Sequence, residues 1–198
     1  MRSPLLFITG LLGTLLPLAS PAQTAPTSPR FYVGVGANLL ANVPFNDRAL
    51  VPVVPRLFGA SLTAGWLFTP RWALQVGFSY HGKNTPNPAG GPTLATKYFL
   101  VPALLRYTVT APATPVQFDV LAGATLVHLK DWDTYSGPSY YTATRVNLTV
   151  GPAVRAALSS HLEVTAASLV SMIVGQNYYT FRNRLFLNTS LGLNYKFG

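Results

Sequence analysis

The chain has no cysteine, which excludes disulfides, thiolate metal ligands and a thiol nucleophile. Charge is scarce as well: Asp, Glu, Lys and Arg make up 10% of the 198 residues, against about 25% in an ordinary soluble domain. Acidic groups are the scarcest, five against fourteen Lys and Arg, for a formal charge of +9. The basic residues never gather into the run that a nucleic-acid arm shows, so anionic lipid is the better partner. Beyond the N-terminus there is no stretch near the roughly 20 apolar residues that a spanning helix needs. Mean hydropathy is nevertheless positive, +0.30. The apolar content is therefore divided among short elements. Only helices and closed barrels satisfy every backbone donor and acceptor in hydrocarbon, which leaves a barrel.

The last stretch, 185–197, carries the pattern most plainly. Leu185, Leu187, Thr189, Leu191, Leu193, Tyr195 and Phe197 share one face, while Phe186, Asn188, Ser190, Gly192, Asn194 and Lys196 share the other. Period two with one apolar face ending in aromatics is the pattern of a transmembrane strand. The same alternation predicts strands over 31–40, 57–68, 72–81, 97–110, 116–129, 144–158 and 162–175, the last with Leu169 and Ile173 on the polar phase. Connections between them alternate strictly long and short, as in barrels with outer loops and tight periplasmic turns. The expected fold is all-β, an eight-stranded antiparallel up-and-down transmembrane β-barrel.

At the N-terminus, Arg2, the apolar run 5–16, Pro17 and the small residues 19–22 follow the order of a secretory signal cleaved near Ala22. The expected organisation is a signal peptide over 1–22, a periplasmic lead-in over 23–30 and a barrel over 31–198.

The segment Tyr98-Phe99-Leu100-Val101-Pro102-Ala103-Leu104-Leu105-Arg106-Tyr107, followed by Leu121-Ala122-Gly123-Ala124, resembles strands of the PorT-like outer-membrane β-barrel family. The resemblance runs from about Phe31 onward. It implies an antiparallel barrel in a Gram-negative outer membrane, with no catalytic motif and no cofactor. For some relatives it also implies a link to protein secretion or gliding.

Charges on the inward phase are informative. Arg106 and Asp119 lie at similar distances from one short turn, Arg155 and Glu163 from another, with Lys196 nearby. Each couple is expected to pair across strands, because an isolated charge inside a narrow eight-stranded barrel is prohibitively costly. The result would be a polar plug and not an open pore. Trp66, Phe68, Trp72, Tyr107, Phe118, Tyr195 and Phe197 are expected to ring the periplasmic boundary, with Phe58, Tyr80 and Phe99 approaching the outer one. Arg48, Arg56, Lys83, Lys97, Lys130, Arg182 and Arg184 fall in or beside the outer loops, where they suit lipopolysaccharide phosphates. Tyr135, Tyr140, Tyr141, Tyr178, Tyr179 and Phe181 give those loops an aromatic surface for a protein or glycan.

Other chemistry is weakly signalled. Ser160, His161 and Glu163 are the parts of a nucleophilic triad, but neighbouring strand residues point to opposite faces. Asp131 and Asp133 have calcium-pair spacing without the Gly and Glu of a calcium loop. Gly34-Val35-Gly36 lacks the third glycine and helix of a nucleotide fingerprint. The expectation is a non-enzymatic protein with no metal or cofactor, structural or partner-binding through its outer loops, linked to secretion or envelope integrity, and inserted by the barrel assembly machinery. A lipid-modifying enzyme, a narrow channel and a soluble lipid-binding barrel stand as alternatives.

Overall fold

The computed structural model describes residues 31–42, 56–85, 94–111, 114–133, 139–174 and 185–197. The expected signal and lead-in lie outside them. The strands are β1 (Phe31–Asn42), β2 (Leu57–Leu67), β3 (Trp72–Thr85), β4 (Leu94–Thr108), β5 (Val116–Asp133), β6 (Ser139–Ala157), β7 (Leu162–Ile173) and β8 (Leu185–Phe197). Each pairs antiparallel with its sequence neighbours, and β8 returns to β1 from Phe31↔Phe197 to Asn42↔Phe186, closing the barrel. Closure leaves no strand edge to be desolvated.

Register keeps like faces together around the wall. Val35 lies opposite Leu62 and Leu62 opposite Phe78, all pointing out. Val35, Leu62, Leu148 and Leu191 are each more than half exposed. An apolar exterior on every strand is the inverse of a water-soluble barrel, so the soluble lipid-carrier alternative fails on polarity. No helix among the described residues is long and apolar enough to cross a membrane, and the strands do the crossing.

Two of the short connections share one hydroxyl device. Thr69 Oγ1 accepts from the backbone N–H groups of Arg71 and Trp72 at 3.3 and 2.9 Å. Ser159 Oγ does the same for His161 and Leu162 at 3.3 and 3.1 Å. In each case a side-chain oxygen satisfies the donors that the turn leaves free. Glycine matters most at two inward positions. A Cβ on Gly65 would collide with the Tyr32 ring that lies across it, and one on Gly59 would meet the His81 imidazole.

The barrel is taller at its outer end than the alternation predicts. Residues 82–85, 94–96, 130–133 and 139–142, expected in loops, continue the ladders of β3 to β6. With 18 and 19 residues, β5 and β6 exceed the roughly 9–11 that span hydrocarbon. Backbone pairing there continues after the amphipathic signal has stopped. At the turn end β4 stops at Thr108, two residues short of expectation.

Candidate functional site: the lumen and its outer rim

The short-turn end of the lumen is filled by an ionic network. Arg155, from β6, donates through Nε to Asp119 Oδ2 and through Nη2 to Asp119 Oδ1 at 3.1 Å. Its Nη2 also reaches Thr108 Oγ1 at 3.0 Å, and Nη1 reaches Glu163 Oε2 at 3.3 Å. Thr108 donates in turn to Asp119 Oδ1 at 2.7 Å. Lys196 stands 3.4 Å from Glu163 Oε2, and Asn194 Nδ2 donates to Glu163 Oε1 at 3.1 Å. Asp119, Arg155 and Glu163 are almost wholly inaccessible, while the Lys196 side chain is 19% exposed. Both carboxylates thus have several donors, the condition under which buried charge is tolerated.

Arg106 departs from the expected pairing with Asp119. Register places Thr108, not Arg106, directly opposite Asp119, and both oxygens of Asp119 are engaged by Arg155 and Thr108. Arg106 instead lays its guanidinium over the Tyr32 ring, 4.7 Å from the centroid. Tyr32 donates to Gln75 Oε1 at 2.9 Å. Arg106 is 2% exposed, and its Nε has no acceptor.

The loop end of the lumen is filled differently. Leu40, Leu57, Tyr98, Leu100, Val127, Leu129, Ile173 and Phe186 point inward and pack into one buried cluster. A second group, Leu104, Leu121, Ala153 and Leu169, lies lower in the lumen. The alternation did carry this signal, because these bulky residues occupy the inward phase. The sequence reading placed only Leu169, Ile173 and Phe186 on that phase by name. Within the upper cluster Arg145 stacks over Phe186 at 5.3 Å, and fully buried His81 sits with Nδ1 3.2 Å from the Leu57 carbonyl. A hydroxyl relay, Thr125 to Thr149 at 2.7 Å and Thr149 to Ser171 at 2.8 Å, runs across β5, β6 and β7.

On the outward face, two rows step across the strands near the long-loop end. Tyr80, Phe99, His128 and Thr144 are successive cross-strand neighbours. Tyr80 and Phe99 rings are 5.2 Å apart, Phe99 and His128 6.2 Å, and His128 Nδ1 is 2.7 Å from Thr144 Oγ1. The row above reads Gly82, Lys97, Lys130, Thr142, with the two exposed lysines directly opposite each other. Among the described residues neither has a carboxylate partner. Arg56 and Lys83 are also exposed, whereas Arg48, Arg182 and Arg184 lie outside the described residues.

Toward the short-turn end Trp66, Phe68, Trp72, Phe118, Tyr195 and Phe197 are exposed, and Tyr107 is half-buried. They interlock: Phe31 stacks on Trp66 at 6.3 Å, Trp72 meets Tyr107 at 4.7 Å, and Tyr195 meets Phe197 at 5.0 Å.

Of the triad parts, Ser160 and His161 meet but Glu163 does not join them. Ser160 Oγ lies 2.9 Å from His161 Nδ1 on an exposed turn, and His161 stacks on Tyr195, but Glu163 points into the lumen toward Arg155 and Lys196. No cluster of metal-ligating side chains occurs among the described residues, and the Asp131 and Asp133 side chains lie outside them.

A closed eight-stranded antiparallel barrel, apolar outside and polar or packed inside, defines the class of transmembrane outer-membrane barrels. The model of the outer membrane protein beta-barrel domain matches residues 10–197, and the chain belongs to that family. It is an integral protein of the Gram-negative outer membrane. Its fold is similar to Neisserial surface protein A, with TM-score 0.64 at 18% identity, covering 84% of this chain and 97% of that one. It is also similar to Ail of Yersinia pestis, solved with the heparin analogue sucrose octasulfate, with TM-score 0.62 at 13% identity over 86% and 100% of the two chains. For OprG of Pseudomonas aeruginosa the TM-score is 0.56 at 14% identity, over 86% and 96%. No curated protein matches in sequence.

Proposed function

We propose that this protein is a non-catalytic, non-conducting barrel of PorT-like type that works from its outer rim, holding anionic lipopolysaccharide there and presenting its outer loops to a protein or glycan partner. The reading is carried by the Lys97↔Lys130 register pair above the Tyr80–Phe99–His128 row. Like charges placed directly opposite each other destabilise a sheet by some tenths of a kcal/mol up to about 1. An anion bridging both ammonium groups turns that repulsion into attraction, and the aromatic row just below sits where acyl chains give way to headgroups. Lipopolysaccharide phosphates have the charge and the depth this geometry asks for. Arg56 extends the same basic rim, Lys83 stands at the same end on the phase of His81, and Arg48, Arg182 and Arg184 belong to the rim by sequence.

The lumen supports the non-conducting part of the reading, because its two halves are occupied by ionic and apolar side chains. The separation of Glu163 from Ser160 and His161 supports the non-catalytic part. A role in envelope integrity or secretion accords with the PorT-like strand segments, and the barrel assembly machinery is the expected insertion partner. Ail, of similar fold, was solved with a sulfated heparin analogue, so a sulfated glycan is the competing occupant of the rim.

The test is urea unfolding of the barrel in phospholipid vesicles with intact or dephosphorylated lipopolysaccharide. Intact lipopolysaccharide should raise the unfolding midpoint of the unaltered protein, and the K97Q/K130Q double variant should lose most of that increment. Equal stabilisation of both proteins, or by both lipids, would contradict the phosphate clamp.

A further inference from the structure

Between the ionic network and the lower apolar group of Leu121, Ala153 and Leu169 lies a cavity of about 60 Å³. One water needs about 10–15 Å³ of such space, so the cavity has room for a small ion with water. Its walls include Arg106, Gln75, Ser61 and Ser190, none of which uses its donors fully within the protein. Arg106 makes no hydrogen bond or ion pair among the described residues; its one partner is the face of Tyr32, and its Nε is buried without an acceptor. Gln75 accepts from Tyr32 through Oε1, which leaves its amide N–H groups, the donor end, uncommitted. Ser61 and Ser190 make no side-chain hydrogen bond in the described protein and add two hydroxyls. Asp119 also lines the space, but Thr108 and Arg155 donate to its oxygens, and the Arg155 guanidinium, which lines the same space, offsets its charge.

The charge count agrees with the geometry. The network holds three cations, Arg106, Arg155 and Lys196, against two carboxylates, Asp119 and Glu163. Lys196 and Arg155 account for both carboxylates, and Arg106 is the cation left over. An uncompensated charge taken out of water is strongly unfavourable. We propose that the cavity beside Arg106 binds one small monovalent anion of chloride size. A divalent oxyanion would overshoot the single surplus charge. Occupancy neutralises the lumen and gives the uncommitted donors an acceptor. The anion is thereby a structural ligand of the barrel and not a permeant species.

Bromide, which scatters anomalously, is the probe. Crystals of the unaltered protein grown in bromide should show an anomalous peak in the cavity, within hydrogen-bond reach of Arg106. In solution, replacing gluconate by chloride at constant ionic strength should raise the thermal midpoint of the detergent-folded barrel by a few degrees, because gluconate is too large to enter. Arg106→Gln should abolish that shift. So should Ala167→Leu, which fills the cavity wall and keeps Arg106. Water alone in the cavity of bromide-grown crystals would overturn the proposal. A halide shift that survives in both variants would do the same. If Arg106→Gln does not fold, Ala167→Leu and the bromide map on the unaltered protein still decide the matter.

Discussion

At the turn end of the lumen Arg155 holds Asp119 and Glu163 in a shared network, whereas at the loop end Leu57, Leu100, Val127 and Phe186 fill the same cross-section with hydrocarbon. Both occupy space, but they constrain the barrel differently. An apolar side chain tolerates any neighbour of suitable volume, while a buried carboxylate demands a donor at one place. A one-residue slip of β5, β6 or β7 would turn Asp119, Arg155 or Glu163 onto the lipid face. An arginine there costs about 2–4 kcal/mol at the bilayer midplane, a carboxylate less, and either one less toward the boundary. At the loop end the same slip would exchange apolar side chains at positions such as Leu100 and Phe186, with Arg145 and His81 the polar exceptions. The ionic half therefore sets register, and the apolar half supplies packing.

A volume-conserving substitution should separate the two roles. Arg155→Met keeps most of the bulk but leaves Asp119 without its two-point partner and Glu163 with Lys196 and Asn194 alone. Breaking a buried pair on one side costs about 3–5 kcal/mol, and urea unfolding in detergent should register a loss of that order. A cost under about 1 kcal/mol would mean that water already solvates the network. In the apolar half, Leu100→Ala should cost about 2–5 kcal/mol, while Leu100→Met should cost less than about 1.5. Should Leu100→Met prove as harmful as Arg155→Met, the contrast between the halves would collapse.

Much of this architecture was legible. Alternation placed residues such as Val33, Leu62, Val76 and Leu193 on the lipid face, and strict alternation of connection lengths fixed the strand count. Legibility failed where the physical signal changed. The outer extensions of β3 to β6 continue the backbone ladders through polar, loop-like sequence, so period two no longer reports pairing there. The choice of Arg155 over Arg106 as partner of Asp119 depends on a diagonal reach between strands, which distance from a turn does not specify. The apolar outer half was written in the inward phase at Leu40, Leu100, Val127 and Phe186. It was obscured by the assumption that an outer-membrane lumen is polar throughout.

The central claim is that two unlike fillings close one lumen, and single-channel recording in a planar bilayer tests it most directly. The account predicts no steady ohmic conductance from the unaltered barrel across moderate voltages and salt. A stable, reproducible conductance from the folded monomer would contradict it, because ions would then be passing both Arg155 and the Leu57 cluster.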